Sequence, residues 1–374
     1  MSDSVVRRSR RLTPGLRVLV VDDSALMRKL ITDLLHTDPG IQVVGSARDG
    51  LEAIEMVKSL KPDVITLDIH MPRMDGLTAL RRIMAEQPTP VVILTGLDDH
   101  KIAVEALQSG AVDIVIKPSG PISADLHRIR DELIRKVKLA HLANIDNITT
   151  KSYEPRPGRT PPPRPKRLQL ASRGIRTGIW AIVIGASTGG PRAVEYILTR
   201  LPEDIPATIL VVQHMPPGFT ASFAERLNNL CAVTVKEGAE GDMLQPGVAY
   251  IAPGGYHMRL RRSGASLGQI YLDQGPPENN VRPAADVTMR DAADLFGSRT
   301  LGVVLTGMGA DGAKGLKYIK ERSGTTIAQD RETSIVYGMP RAAAELGVVD
   351  MVLPLTEIPQ AIIDVVVGNR RPKP

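Results

Sequence analysis

Short apolar runs alternate with amphipathic stretches of helical period along two long parts of the chain, and this rhythm leaves few folds open. Leu16–Val21 is apolar and lies between Gly15 and Asp22. Ser24–His36 then sets Leu26, Met27, Leu30, Ile31, Leu34 and Leu35 on one helical face, with Asp23 or Ser24 as the cap. The pattern predicts further strands near Ile41–Gly45, Asp63–Leu67, Val91–Leu94 and Val112–Ile116. It predicts helices near Gly50–Leu60, Gly76–Glu86, Asp98–Ser109 and Ser123–Asn144. Five strand–helix pairs of this length form a parallel sheet covered on both faces, an α/β fold.

The rhythm breaks at 146–176, where Pro155, Pro157, Pro161, Pro162, Pro163 and Pro165 stand among arginines. Proline runs favour extended backbone and like charges repel, so this stretch reads as a semi-rigid, solvated tether. The formal charge of the chain is +6. Lys151–Arg173 holds seven Lys or Arg and one acid, Glu154, so the tether alone accounts for that excess. The basic balance therefore describes a linker and not a nucleic-acid-binding face.

Beyond the tether the alternation resumes. Strands are expected at Trp180–Ile184, Thr208–Gln213, Val233–Lys236, Val248–Ile251, Leu301–Leu305 and Thr325–Ala328. Helices are expected at Arg192–Arg200, Phe219–Leu230 and Pro283–Phe296. The organisation read from the chain is a flexible basic N-terminus over 1–15, an α/β domain over 16–145, the linker over 146–176 and a second, doubly wound α/β domain over 177–370. Aromatics make up only 3% of the chain, so both cores must be built from aliphatic side chains. A single cysteine, Cys231, excludes an internal disulfide and reads as a small buried apolar residue. No apolar run approaches the roughly 20 residues that span a bilayer, so no membrane insertion is expected.

In open parallel sheets, ligands bind beyond the carboxyl ends of the strands. In the first domain those ends carry Asp22 and Asp23, then Asp68, Thr95, and Lys117. Three carboxylates on one edge repel unless a cation lies between them. Mg²⁺ suits such an oxygen set. The hydroxyl and the ammonium are suited to a phosphoryl group, and the central Asp68 is the natural nucleophile for an aspartyl-phosphate.

The segments VVDDSALMRKL, TLDIHMPRMDGL, ILTG and VIKP resemble the receiver domain of two-component response regulators over about 16–145. The resemblance implies a flavodoxin-like (βα)5 fold and phosphorylation of Asp68 by a histidine kinase. It implies Mg²⁺ held by Asp22, Asp23, Asp68 and the backbone carbonyl of His70, with Thr95 and Lys117 reading the phosphoryl group. Ile114 stands three residues before Lys117, where many receivers carry Phe or Tyr. Isoleucine cannot make the inward aromatic rotation of those receivers.

In the second domain, Gly185-Ala186-Ser187-Thr188-Gly189 lies between an apolar run and a helical pattern. A G-x-S-x-G turn there exposes a serine hydroxyl and turns backbone N–H groups toward an oxyanion. Pro191 suits the first helical turn. Of the two histidines in this domain, His214 ends the next strand, whereas His257 opens a strand elsewhere. Asp311 follows a third apolar strand and supplies the orienting carboxylate. The order Ser–His–Asp matches none of the familiar hydrolase orders, which points to a separate fold.

Together GASTGGP, QHMP, IAPGG and TGMGADGA resemble the CheB family, the protein-glutamate methylesterases of bacterial chemotaxis, over about 178–368. By this resemblance the second domain is a methylesterase and glutamine deamidase without a cofactor of its own. Ser187 attacks, His214 shuttles the proton and Asp311 orients it. The backbone N–H of Met308 and the Thr188 side chain stabilise the oxyanion. The implied partners are methyl-accepting chemoreceptors and a chemotaxis histidine kinase, in the cytoplasm. One alternative is a response regulator with a DNA-binding output, but no helix-turn-helix pattern follows the linker. Another is a nucleotide-binding output, since Gly307–Gly312 matches G-x-G-x-x-G with Asp330 beyond it. That fingerprint normally opens a domain and here lies late in the chain.

Overall fold

The computed structural model describes residues 15–117, 126–148, 178–264 and 266–368. The expected N-terminal segment up to 14, most of the linker, and the expected helix start at Ser123 lie outside the described residues. Among the described residues no helix is long and apolar enough to cross a membrane. Two compact units are present. One holds the residues up to Leu94 with Val115–His141, and the other holds Thr95–Ile114 and the residues from Leu142 onward.

The first α/β domain is built on a five-stranded sheet. Its strands are β1 (Leu16–Val21), β2 (Ile41–Ala47), β3 (Val64–Asp68), β4 (Val91–Thr95) and β5 (Asp113–Ile116), in the order β2-β1-β3-β4-β5. β1 pairs in parallel with β2 and β3, and β3 with β4. β3 and β4 are buried along their whole length, as strands covered on both faces must be. The helices are α1 (Ala25–His36), α2 (Gly50–Leu60), α3 (Gly76–Glu86), α4 (His100–Gln108) and α5 (Leu126–His141). Capping side chains fix three of the starts. Ser24 accepts from Met27 N, Asp49 from Leu51 N and Glu52 N, and Asp75 from Thr78 N. Of the apolar face read for α1, Ile31, Leu34 and Leu35 are buried, whereas Leu26 in the first turn is 62% exposed.

The second domain has a seven-stranded sheet. Its strands are β6 (Trp180–Ala186), β7 (Ala207–Gln213), β8 (Thr234–Glu237), β9 (Val248–Ile251), β12 (Thr300–Val304), β13 (Thr325–Gln329) and β14 (Met351–Leu353). Their order is β14-β13-β12-β6-β7-β9-β8, with parallel pairing throughout. The chain moves outward from β6 in one direction, then returns beside it at β12. The edge between β6 and β12 is thus the switch point where such folds open a crevice. Helices α6 (Gly190–Leu198), α7 (Phe219–Leu230), α8 (Ala285–Phe296), α9 (Ala313–Glu321), α10 (Met339–Glu345) and α11 (Ile358–Val366) complete it. An antiparallel hairpin, β10 (His257–Arg261) with β11 (Gln269–Asp273), packs Met258, Leu260 and Ile270 into the same core as Met289 of α8. A 3-10 turn at Ile145–Asn147 overlaps the expected start of the linker. The Asn147 amide donates to the carbonyls of Glu332 and Ser334.

Candidate functional site

Sheet order brings the first set of expected residues together. Asp22 and Asp23 follow β1 and Asp68 ends β3, its direct neighbour. One carboxylate oxygen from each lies within 4.8 Å of the others. Lys117 extends its Nζ to 2.7 Å from both Asp22 Oδ2 and Asp68 Oδ1. Burial pushes the Asp68 carboxyl above its ordinary value, against the opposing pull of Lys117. Burial also disfavours the Lys117 charge, yet its bonds to Asp22 and Asp68 outweigh that and its pKa is raised. Thr95 is fully buried at the end of β4, with Oγ1 3.4 Å from the Gly96 carbonyl. His70 is exposed in the loop after β3, and Ile114 is buried in β5. The donor set is all carboxylate oxygen, which fits Mg²⁺, a hard ion that keeps several waters and binds through few carboxylates.

The second set forms at the switch point. Ala186 pairs with Gln213, so Ser187 and His214 are the next residues of adjoining strands. Gly189 adopts φ +75° and Gly190 N donates to the Ser187 carbonyl at 2.7 Å, closing a tight elbow between β6 and α6. Gln213 donates its Nε2 to the carbonyls of Ser187 at 2.9 Å and His214 at 3.2 Å. A Cβ at Gly307 would lie 2.7 Å from Ser187 Cβ, so only glycine lets this loop approach the serine. Met308 follows directly.

Asp311 reaches back from the loop after β12, and its Oδ2 lies 2.8 Å from His214 Nε2. The carboxylate is 2% exposed and fully engaged. Oδ2 also accepts from Ala285 N at 2.6 Å. Oδ1 accepts from Asp286 N at 3.1 Å and Asn279 Nδ2 at 2.9 Å. The N-cap residue of α8, Ala284, has no capping oxygen of its own, so Asp311 caps that helix from another loop. Burial works against the Asp311 charge. The His214 hydrogen bond and charge, then the two helix N–H groups, outweigh it and hold the carboxyl below its ordinary value. An ionised Asp311 only accepts, so the proton of a neutral His214 sits on Nε2 and Nδ1 is the free base.

Two expectations meet a different arrangement. The Ser187 hydroxyl makes no hydrogen bond to His214 or to any other described residue. It lies on a strand end beside the base without being joined to it. The Thr188 hydroxyl donates to Asp113 Oδ2 at 2.6 Å, within the second compact unit, and is not free for an oxyanion. His257 is buried with Nε2 3.0 Å from the Pro276 carbonyl, apart from the His214–Asp311 pair. Asp330 accepts from Thr333 N within its own turn, and the G-x-G-x-x-G loop carries Asp311. Sequence reasoning passed over Gln213, Asn279 and Asp286. The first was detectable as the one polar residue ending the apolar strand ATILVVQ.

Both domains match known families. A CheB methylesterase family model matches residues 182–362, and a response regulator receiver domain model matches 18–127. Two relatives are both named protein-glutamate methylesterase/protein-glutamine glutaminase. The one from Symbiobacterium thermophilum is 49% identical over 95% of this chain and 98% of its own. The one from Pyrococcus abyssi is 47% identical over 93% of each. The crystal structure of the Thermotoga maritima CheB methylesterase catalytic domain aligns at 47% identity and a TM-score of 0.49. It covers 50% of this chain and 99% of its own. The chain belongs to the CheB methylesterase family, in the form that couples a response regulator receiver domain to the methylesterase domain.

Proposed function

We propose that the chain is a phosphorylation-controlled serine hydrolase. It removes methyl esters from glutamate side chains on the cytoplasmic helices of chemoreceptors, and it deamidates glutamines there. The names of its relatives support the substrate class. The 2.8 Å pairing of His214 with Asp311, one strand end away from Ser187, carries the mechanism.

In this reading Ser187 Oγ attacks the ester carbonyl and its proton passes to His214 Nδ1 after a side-chain rotation closes the gap. Such contacts commonly tighten only with substrate bound. The backbone N–H of Met308 faces the developing oxyanion. His214 returns the proton to the departing methoxide as methanol, or to the amine as ammonia. A water, deprotonated by His214, then hydrolyses the acyl-enzyme. Asp311 stays ionised and stabilises the imidazolium formed in each step.

Control is assigned to Asp68, which accepts a phosphoryl group from a histidine kinase. Asp22, Asp23 and Asp68, with the His70 carbonyl, would hold Mg²⁺, whose charge offsets that of the phosphoryl oxygens when bound. Lys117 pairs with the phosphoryl group and Thr95 reads it. The unphosphorylated receiver covers the Ser187 edge and phosphorylation releases it. The test is methanol release from methylated receptor membranes, with and without a small phosphodonor and Mg²⁺. The donor should accelerate release by the wild type and leave Asp68→Asn at its basal rate. An equal response in Asp68→Asn would reject the assignment.

A further inference from the structure

We infer that Asn279 is a positioning residue that keeps two buried carboxylates, Asp311 and Asp286, apart in charge and so holds Asp311 aimed at His214. This rests on the hydrolase reading above and extends it to residues outside the triad.

The observation is one amide shared between two acids. Asn279 Nδ2 donates one hydrogen to Asp311 Oδ1 and the other to Asp286 Oδ2, each at 2.9 Å. Asp286 is fully buried in the first turn of α8, and its Oδ1 accepts from Gly315 N at 2.6 Å. Two carboxylates this close in a dry site repel. Consistent with that, burial first and the Asp311 charge second raise the Asp286 carboxyl above its ordinary value. Nearby, Glu278 adds a further negative charge, and the Arg290 guanidinium spends its hydrogen bonds on Glu278 and makes none to the two acids. Backbone N–H groups bond each acid separately, and the Asn279 –NH2 group is bonded to both. Without it, Asp286 and Asp311 would relieve their repulsion by sharing a proton or by turning apart. Either outcome weakens the carboxylate that His214 needs.

The backbone is shaped for this placement. Glu278 and Val281 exchange both backbone hydrogen bonds, and the two residues between them, Asn279 and Asn280, have φ of +54° and +62°. That is a two-residue turn with both central residues left-handed, a conformation asparagine tolerates better than most residues. The turn presents the Asn279 amide to the two acids.

A suppressor test separates charge separation from simple packing. In the full chain, methanol release is compared for wild type, Asn279→Ala, Asp286→Asn and the double variant, with Ser187→Ala as the reference for lost chemistry. Asn279→Ala should lose about 10–100-fold in kcat with little change in KM, the cost of one donor to a buried charge. Asp286→Asn removes the competing charge and should restore most of that loss in the double variant. A merely structural Asn279 predicts a double variant as impaired as Asn279→Ala, or worse, and that result overturns the proposal. So does Asn279→Ala at wild-type kcat while Ser187→Ala is inactive. Retained activity in Ser187→Ala would instead fault the underlying hydrolase reading. The same cycle in urea, followed by the fluorescence of Trp180, the single tryptophan, is independent of activity. Asp286→Asn should raise the midpoint of Asn279→Ala, and a further drop contradicts the proposal. Asn279→Ser retains one donor, so if the alanine variant does not fold it should fall between it and wild type on both readouts. Wild-type behaviour of the serine variant counts against the shared amide.

Discussion

His214 Nε2 and Asp311 Oδ2 lie 2.8 Å apart although 97 residues separate them in the chain. The carboxylate that orients the imidazole also caps α8 through Ala285 N and Asp286 N. One group therefore serves the helix start and the base.

That double duty predicts the effect of Asp311→Asn. The amide offers a donor where the imidazole donates, so His214 loses its preferred tautomer, and the first turn of α8 loses part of its cap. Methanol release should fall by about 10³-fold or more in kcat. The catalytic domain should also lose about 1 kcal/mol of stability, read from Trp180 fluorescence in urea. Activity within tenfold of wild type would break the link between this pair and the chemistry.

Gly307 presses on the serine. Its missing Cβ would meet Ser187 Cβ at 2.7 Å and Ser187 N at 2.9 Å. Gly307→Ala must displace the elbow or the loop carrying Met308. It should reduce kcat by at least about tenfold while costing about 1–3 kcal/mol in stability. Unchanged kinetics would mean that the serine does not need this register.

Asp68 carries a charge that the fold disfavours. Its folded pKa is raised by burial, so the stability it contributes is complete below the unfolded carboxylate value. That contribution is lost as pH rises through the folded value. Above the folded value the ionised side chain is therefore a cost, and neutral Asn removes it. In the absence of divalent cations, Asp68→Asn should raise the thermal midpoint of the receiver at neutral pH. The gap should close toward pH 4. A lower midpoint at pH 7 would contradict this.

Cys231 ends α7, and burial, then the nearby Glu195 charge, pushes its thiol up to about 12. Only the thiolate reacts, so alkylation by iodoacetamide at pH 8 should be about 10³-fold slower in the native protein than in denaturant. Equal rates would show that the thiol is not held in the way this environment requires.

The strand ends were the most legible part of the sequence. Asp22, Asp68, Ser187 and His214 each follow an apolar run, and parallel sheets gather such residues on one edge. The start of α1 was legible where Ser24 stands as the cap. The hairpin of β10 and β11 was only half visible, through the strand that His257 opens. Its exposed arginines at 261 and 262 and the glycine-rich turn carry little periodic signal. The three-residue β14 and the seven-residue α10 are fixed by packing against neighbours, which no local pattern reveals. Asn279 was invisible for a related reason. It sits in a two-residue turn, and its two partners arrive from α8 and from the loop after β12.

The central claim is that Ser187 is the nucleophile. Its most direct test is methanol release from methylated receptor membranes by full-length Ser187→Ala, driven by a phosphodonor and Mg²⁺. The account predicts a loss of about three or more decades relative to wild type, with unchanged phosphorylation of Asp68. Release at or near the wild-type rate would contradict it.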